Sequence, residues 1–119
     1  GGYNVAVGVN SLATLSTGSF NIALGREALS IASASYNIGI GHQSGNNISS
    51  GSGNVVIGNA DVSSATGDDQ LSISDGEDGS VVWMTGDSSG NVVFAGTATA
   101  AGSLLATQGD ATALAVALG

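Results

Sequence analysis

The sequence predicts an all-β fold: a repetitive parallel β-solenoid, or β-helix, whose core is shared between chains. Three observations carry this expectation. First, Asn4-Val5-Ala6-Val7-Gly8 returns as Asn21-Ile22-Ala23-Leu24-Gly25, Asn37-Ile38-Gly39-Ile40-Gly41 and Asn54-Val55-Val56-Ile57-Gly58, with the Asn residues 17, 16 and 17 positions apart. A near-constant period with matched slots is the mark of stacked repeats. Second, two aliphatic residues alternate with a smaller one in each unit, which is the period of a strand, and the Gly that follows ends it. Strands recurring once per coil in the same direction stack as parallel neighbours about 4.8 Å apart. Third, His42 to Ser52 of repeat three holds one aliphatic residue, Ile48, in eleven. Such a coil buries too little by itself to offset its ordering entropy, so the missing surface is expected from other chains. The repeats leave the number of chains open.

Residues 1–60 hold the four repeats, of about 17 residues each. The alternation singles out Val5, Val7, Ile22, Leu24, Ile38, Ile40, Val55 and Ile57 as the repeat core, with Ala6, Ala23, Gly39 and Val56 facing the other way. A second apolar wall is expected from Leu12 with Leu15 and from Leu29 with Ile31. The Asn column (Asn4, Asn21, Asn37, Asn54) suits a hydrogen-bonded ladder whose members tolerate left-handed corners. A polar stripe for a ligand is the alternative reading of the same column. The residue before Asn is Tyr3, Phe20, Tyr36 and then Gly53. Rings repeating at the strand spacing fit an offset stack along the coil, against the alternative of rings presented to a glycan.

Residues 61–100 change character and read as an acidic β transition region. Seven of the nine acidic residues lie between Asp61 and Asp87. Leu71-Ser72-Ile73 and Val81-Val82-Trp83-Met84 read as strands joined by a hairpin turn at Gly76 to Gly79. Asn91 to Phe94 reads as a further strand. Residues 101–119 are small and apolar; propensity allows a short helix over 100–106, and the alternation from Ala113 to Leu118 suits a strand resuming the repeat. The chain opens in mid-motif at Gly1-Gly2-Tyr3 without Met, as a piece of something longer would.

Composition excludes several functions. With Arg26 the one basic residue and a net charge of -8, the chain lacks the basic face that phosphate backbones and anionic membrane surfaces require. No run approaches the ~20 apolar residues of a membrane span. The absence of Cys removes disulfides and thiolate metal sites.

The four units, with the Ser11-Leu12, Ala28-Leu29 or Ser44-Gly45 that follows and the Thr17-Gly18-Ser19-Phe20-Asn21 link, resemble repeats of bacteriophage tail-fibre proteins. They are also similar to the slightly shorter head repeats of trimeric autotransporter adhesins. Repeat three departs by losing the Leu after Gly, and repeat four by reading Asn59-Ala60-Asp61-Val62. The run from Gly90 to Ala100 is similar to segments of tail-fibre shafts near a change of domain, which favours the phage family. The resemblance implies a fibrous homotrimer of parallel β-coils, a structural and adhesive component of a virion tail fibre engaged in host attachment. The self-assembled trimer is the partner it implies first, and a cell-surface glycan or protein receptor the second. The alternative is a bacterial trimeric surface adhesin or another self-assembling extracellular filament.

An enzyme is not expected. A single His and no Cys leave no nucleophilic triad. A carboxylate pair for glycoside cleavage has candidates only in turns, with Trp83 alone to stack a sugar. The weak metal candidates are His42, three copies of which symmetry can bring to an axis, and Asp68, Asp69 and Asp75 with Glu77 and Asp78 for Ca²⁺. Their spacing matches neither the EF-hand loop nor the Gly-rich Ca²⁺-binding nonapeptide. No metal, cofactor or catalytic residue is therefore assigned.

Overall fold

A computed structural model of the chain describes residues 1–100 and the strand residues 103–104. Five short strands, β1 (Val5–Val7), β2 (Ile22–Leu24), β3 (Ile38–Ile40), β4 (Val55–Ile57) and β5 (Leu71–Ser74), stack in parallel, each one repeat after the last. Their register is the register of the repeat, with Ala6, Ala23, Gly39, Val56 and Ser72 opposite one another. The chain thus winds about four turns of a parallel β-solenoid. Turns form the other wall and stack through backbone bonds: Leu12 N donates to Ala28 O at 3.1 Å, Leu29 N to Ser44 O at 3.0 Å, and Ser49 N to Ala65 O at 2.9 Å.

The fifth strand lies beyond the four units legible in the sequence. Gln70 takes the place of Asn, 16 residues after Asn54, and Ser74 the place of Gly. The parallel stack ends there. An antiparallel hairpin follows, β6 (Val82–Gly86) against β5 with a bulge at Ile73/Ser74, then β7 (Val92–Phe94) against β6. The turn expected between Gly76 and Gly79 lies in this β5–β6 connection. No helix forms at the start of the segment 100–106: Thr99–Ala100 (β8) pairs antiparallel with Ser103–Leu104 (β9). The expected strand over 113–118 lies outside the described residues.

The facing of the strands reverses the sequence expectation. Within the chain, the middle residue is the inward one: Ala23, Gly39, Val56 and Ser72 are buried, whereas Val7 is 60 % and Ile40 and Ile57 nearly 40 % exposed. The coil is too thin to take a large side chain from both walls. A Cβ on Gly39 would already lie 2.8 Å from Leu29 Cγ, and one on Gly45 3.2 Å from Val56 Cγ2, so a small residue on one wall faces a large one on the other, and the turn wall supplies most of the bulk. Leu12, Leu29, Ile48 and Val62 supply that bulk, with Leu15 packed against them. Ile31, expected beside Leu29, is exposed, and Ala32 is buried in its stead. Repeat three also fills its own interior: Ile48 is fully buried although the Leu slot is Gly45.

Left-handed backbone recurs at fixed slots. The corner before each strand falls on Tyr3, Phe20, Tyr36, Gly53 and Asp69, with φ between 53° and 73°, and not on the Asn that follows, as the sequence suggested. Gly8, Gly25, Gly41 and Gly58 hold φ from 107° to 139°. A Cβ on any of them would strike the backbone of the residue one turn below, so both conformation and contact demand Gly.

Candidate interaction surface

The outward residues of the parallel strands form two aliphatic columns. Register aligns Val5, Ile22, Ile38, Val55 and Leu71 in one, and Val7, Leu24, Ile40, Ile57 and Ile73 in the other. The second column runs on through the hairpin, where Ile73 faces Met84 and Met84 faces Phe94. No charged or polar residue interrupts either column down to β5. Nothing among the described residues covers this face, since the core lies on the other side of the sheet. A contiguous apolar strip left in water is costly and marks an interaction surface.

The aromatic column flanks the start of the same strands. Tyr3 and Phe20 stack with centroids 5.1 Å apart and planes 6° from parallel; Phe20 and Tyr36 repeat this at 5.1 Å and 8°. All three are exposed, yet their faces cover one another, so only the ends of the stack offer a free ring face. Gly53 ends the column.

The Asn column is interior. Asn21, Asn37 and Asn54 are fully buried. Asn21 N donates to Asn4 Oδ1 at 2.9 Å, Asn37 N to Asn21 Oδ1 at 2.9 Å, and Asn54 N to Asn37 Oδ1 at 3.0 Å. Each amide nitrogen also closes its own coil, as Asn37 Nδ2 does on Gly51 O at 2.9 Å. Gln70 terminates the ladder, donating N and Nε2 to Asn54 Oδ1 and accepting from Ser63 Oγ and Ser64 N. These side chains hold strand to corner and present nothing to a ligand.

The acidic residues organise loops. Asp75 Oδ1 accepts from the amides of Glu77, Asp78 and Gly79, and Oδ2 from Val81 at 2.7 Å. These donors, the Val81 amide foremost, lower its pKa to about 2. Asp87 is held below its ordinary value by the Asn91 side chain and by the amides of Asn91 and Ser89. Asp61 moves the other way, because partial burial penalises its charge more than the Asn47 amide relieves it. Glu27 is lowered by hydrogen bonds from Gln43 and Arg26. Asp68 accepts from Ser52 N at 2.7 Å, and Asp69 occupies the left-handed corner of the fifth rung. His42 is exposed on the coil. The structure does not gather these candidates: among the described residues no three His, Cys, Asp or Glu side chains converge on one point. No helix among them is long and apolar enough to cross a membrane.

Sequence reasoning missed the part of the strip that lies past residue 60: Leu71, Ile73, Met84 and Phe94. The signal was present as the 16-residue step from Asn54 to Gln70, followed by alternating Leu71-Ser72-Ile73. Comparison with family models, with characterised proteins and with solved structures gives no match.

Proposed function

We propose that this chain is a structural and adhesive segment of a bacteriophage tail fibre, in which three copies pack their aliphatic columns together as a trimeric shaft. The observation that carries this reading is the unbroken pair of columns on the outer face of the parallel sheet. The single-chain coil fills its own interior, so the interface requires no exchange of core residues. It requires only that each copy bury its outer strip against the others, as obligate interfaces resemble a core cut in half. A fibre suits the rest of the composition: a rigid ladder repeated along one axis, few charges, and no gathered catalytic groups among the described residues. The near-absence of Lys and Arg keeps the shaft off nucleic acid and anionic lipid.

The alternative, a bacterial trimeric surface adhesin, uses the same strip in the same way. An antibody raised against the chain distinguishes them. Labelling along the tails of phage particles released by the encoding strain supports the fibre. Labelling confined to the surface of intact bacteria, with none on particles, supports the adhesin.

A further inference from the structure

Where the parallel stack ends, the chain leaves the coil for the β6–β7 hairpin, and no described residue returns beneath the fifth rung. A groove of about 190 Å³ opens at this point, between the last turn and the hairpin. Its apolar walls are Val62, Leu71 and Val93. Ser72, on the inward side of the last parallel strand, lines it too; this residue is 1 % exposed and its Oγ has no hydrogen-bond partner. A buried hydroxyl without a partner is costly, and the other inward positions of the sheet carry Ala23, Gly39 and Val56.

Two carboxylates border the groove, and they differ in what they have left to give. Asp87 is occupied by its own turn, accepting from Ser89 N, Asn91 N and Asn91 Nδ2. Asp61 accepts only a long bond, 3.3 Å, from Asn47 N. Asn91 spends its Nδ2 on Asp87, which leaves its carbonyl oxygen as an acceptor. The unspent polar groups are thus mainly acceptors above apolar walls, in a chain of net charge -8 with one basic residue.

We propose that this groove receives a primary ammonium group on an apolar stem, the lysine side chain of a basic partner protein, with the ammonium on Asp61 and its methylenes against Val62, Leu71 and Val93. The volume suits one side chain; pockets for drug-sized ligands begin at about 300 Å³. Long cationic side chains bury their stems and keep the head at a polar rim. Charge complementarity favours a cationic partner and selects against anionic ones. These 119 residues contain no Lys, so the same segment of a second copy does not supply the group. Desolvation of Asp61, which raises its pKa, is relieved once an ammonium sits beside it.

The test is an NMR titration of the 119-residue chain with Nα-acetyl-lysine methylamide, its norleucine counterpart and glucosamine. The lysine compound should give saturable shifts at Thr85, Asn91 and Val93 that weaken with added salt, and the norleucine compound should not. Asp61→Asn, which can still accept from Asn47, should weaken the lysine compound roughly tenfold or more, as loss of a charged hydrogen bond implies. Equal response to norleucine, preference for glucosamine, no saturable shift, or an unaffected Asp61→Asn would each overturn the proposal.

Discussion

Gly45 and Ile48 close one turn of the coil and share a single side chain's worth of interior: a Cβ on Gly45 would lie 2.9 Å from Ile48 Cδ1. The same turn recurs in each of the first three repeats, with Leu15 N, Ala32 N and Ile48 N donating to Leu12 O, Leu29 O and Gly45 O. The pairs are therefore Leu/Leu, Leu/Ala and Gly/Ile at equivalent slots. Repeat three has moved its bulk three residues along the turn.

That exchange predicts a rescue. Ile48→Ala should cost about 2–5 kcal/mol, as large-to-small core changes do. Gly45→Leu alone should overpack against Ile48 and cost about 1–3 kcal/mol. Together they restore the Leu29/Ala32 pairing of repeat two on the turn wall, with Val56 still standing opposite where Leu29 has Gly39. The left-handed backbone is no obstacle, since Leu12 and Leu29 hold φ of 50° and 48° in this slot. Chemical denaturation should find the double variant more stable than Gly45→Leu alone, by relief of the contact with Ile48, while Val56 keeps part of the overpacking in place. Additive losses would mean the two residues do not share space.

The ladder should be weakest to damage at its middle. Asn37→Ala leaves Asn54 N without its acceptor and Gly51 O without its donor, while Asn54 Nδ2 keeps Gly67 O alone. Each buried group left unsatisfied costs roughly 1–3 kcal/mol. Asn4→Ala, at the half-buried first rung, admits water to replace the lost carbonyl and should cost less. Melting temperatures of the two variants, compared at equal chain concentration, check the order.

Acid should loosen the β5–β6 connection through Asp75. Its folded pKa, about 2, lies below the ordinary 3.8. The carboxylate's contribution is therefore complete above about pH 4 and is lost as pH falls through about 2. Asp78 and Asp87 shift in the same direction, and Asp61 opposes them. Hydrogen exchange at the Glu77, Asp78, Gly79 and Val81 amides should accelerate relative to wild type in Asp75→Asn at pH 5. The difference should narrow towards pH 2. A difference independent of pH would remove the carboxylate's charge from the explanation.

Much of the architecture is legible in the sequence because a solenoid repeats its constraints. Asn at one end of each strand and Gly at the other fix period, register and the parallel stack. The facing of the strands is not legible: Ile38-Gly39-Ile40 reads as alternating whichever side is buried, and only the width of the coil decides. The fifth rung is obscured because Gln70 does the work of Asn with a longer arm, reaching Asn54 above while bonding Ser63 and Ser64 in its own turn. The interaction strip is half legible. Its aliphatic residues stand out up to Ile57, whereas Met84 and Phe94 join it only through antiparallel register.

The outer strip should be indifferent to polarity within a chain and intolerant of it between chains. Ile40→Ser should leave the coil folded, by circular dichroism, while weakening association. Val56→Ser places a hydroxyl in the interior beside Gly45, Leu29 and Ile48 and should lower the stability of the coil itself by about 1–3 kcal/mol. Similar losses of association and of fold in both variants would mean that the two faces are not distinct.

The mass of the wild-type particle in solution tests the account most directly. Light scattering of the purified chain should give three times the 11.4 kDa of one copy, with Ile40→Asp shifting the particle towards a single folded copy. A folded particle of 11.4 kDa from the wild-type chain, with its aliphatic columns open to water, would contradict the account.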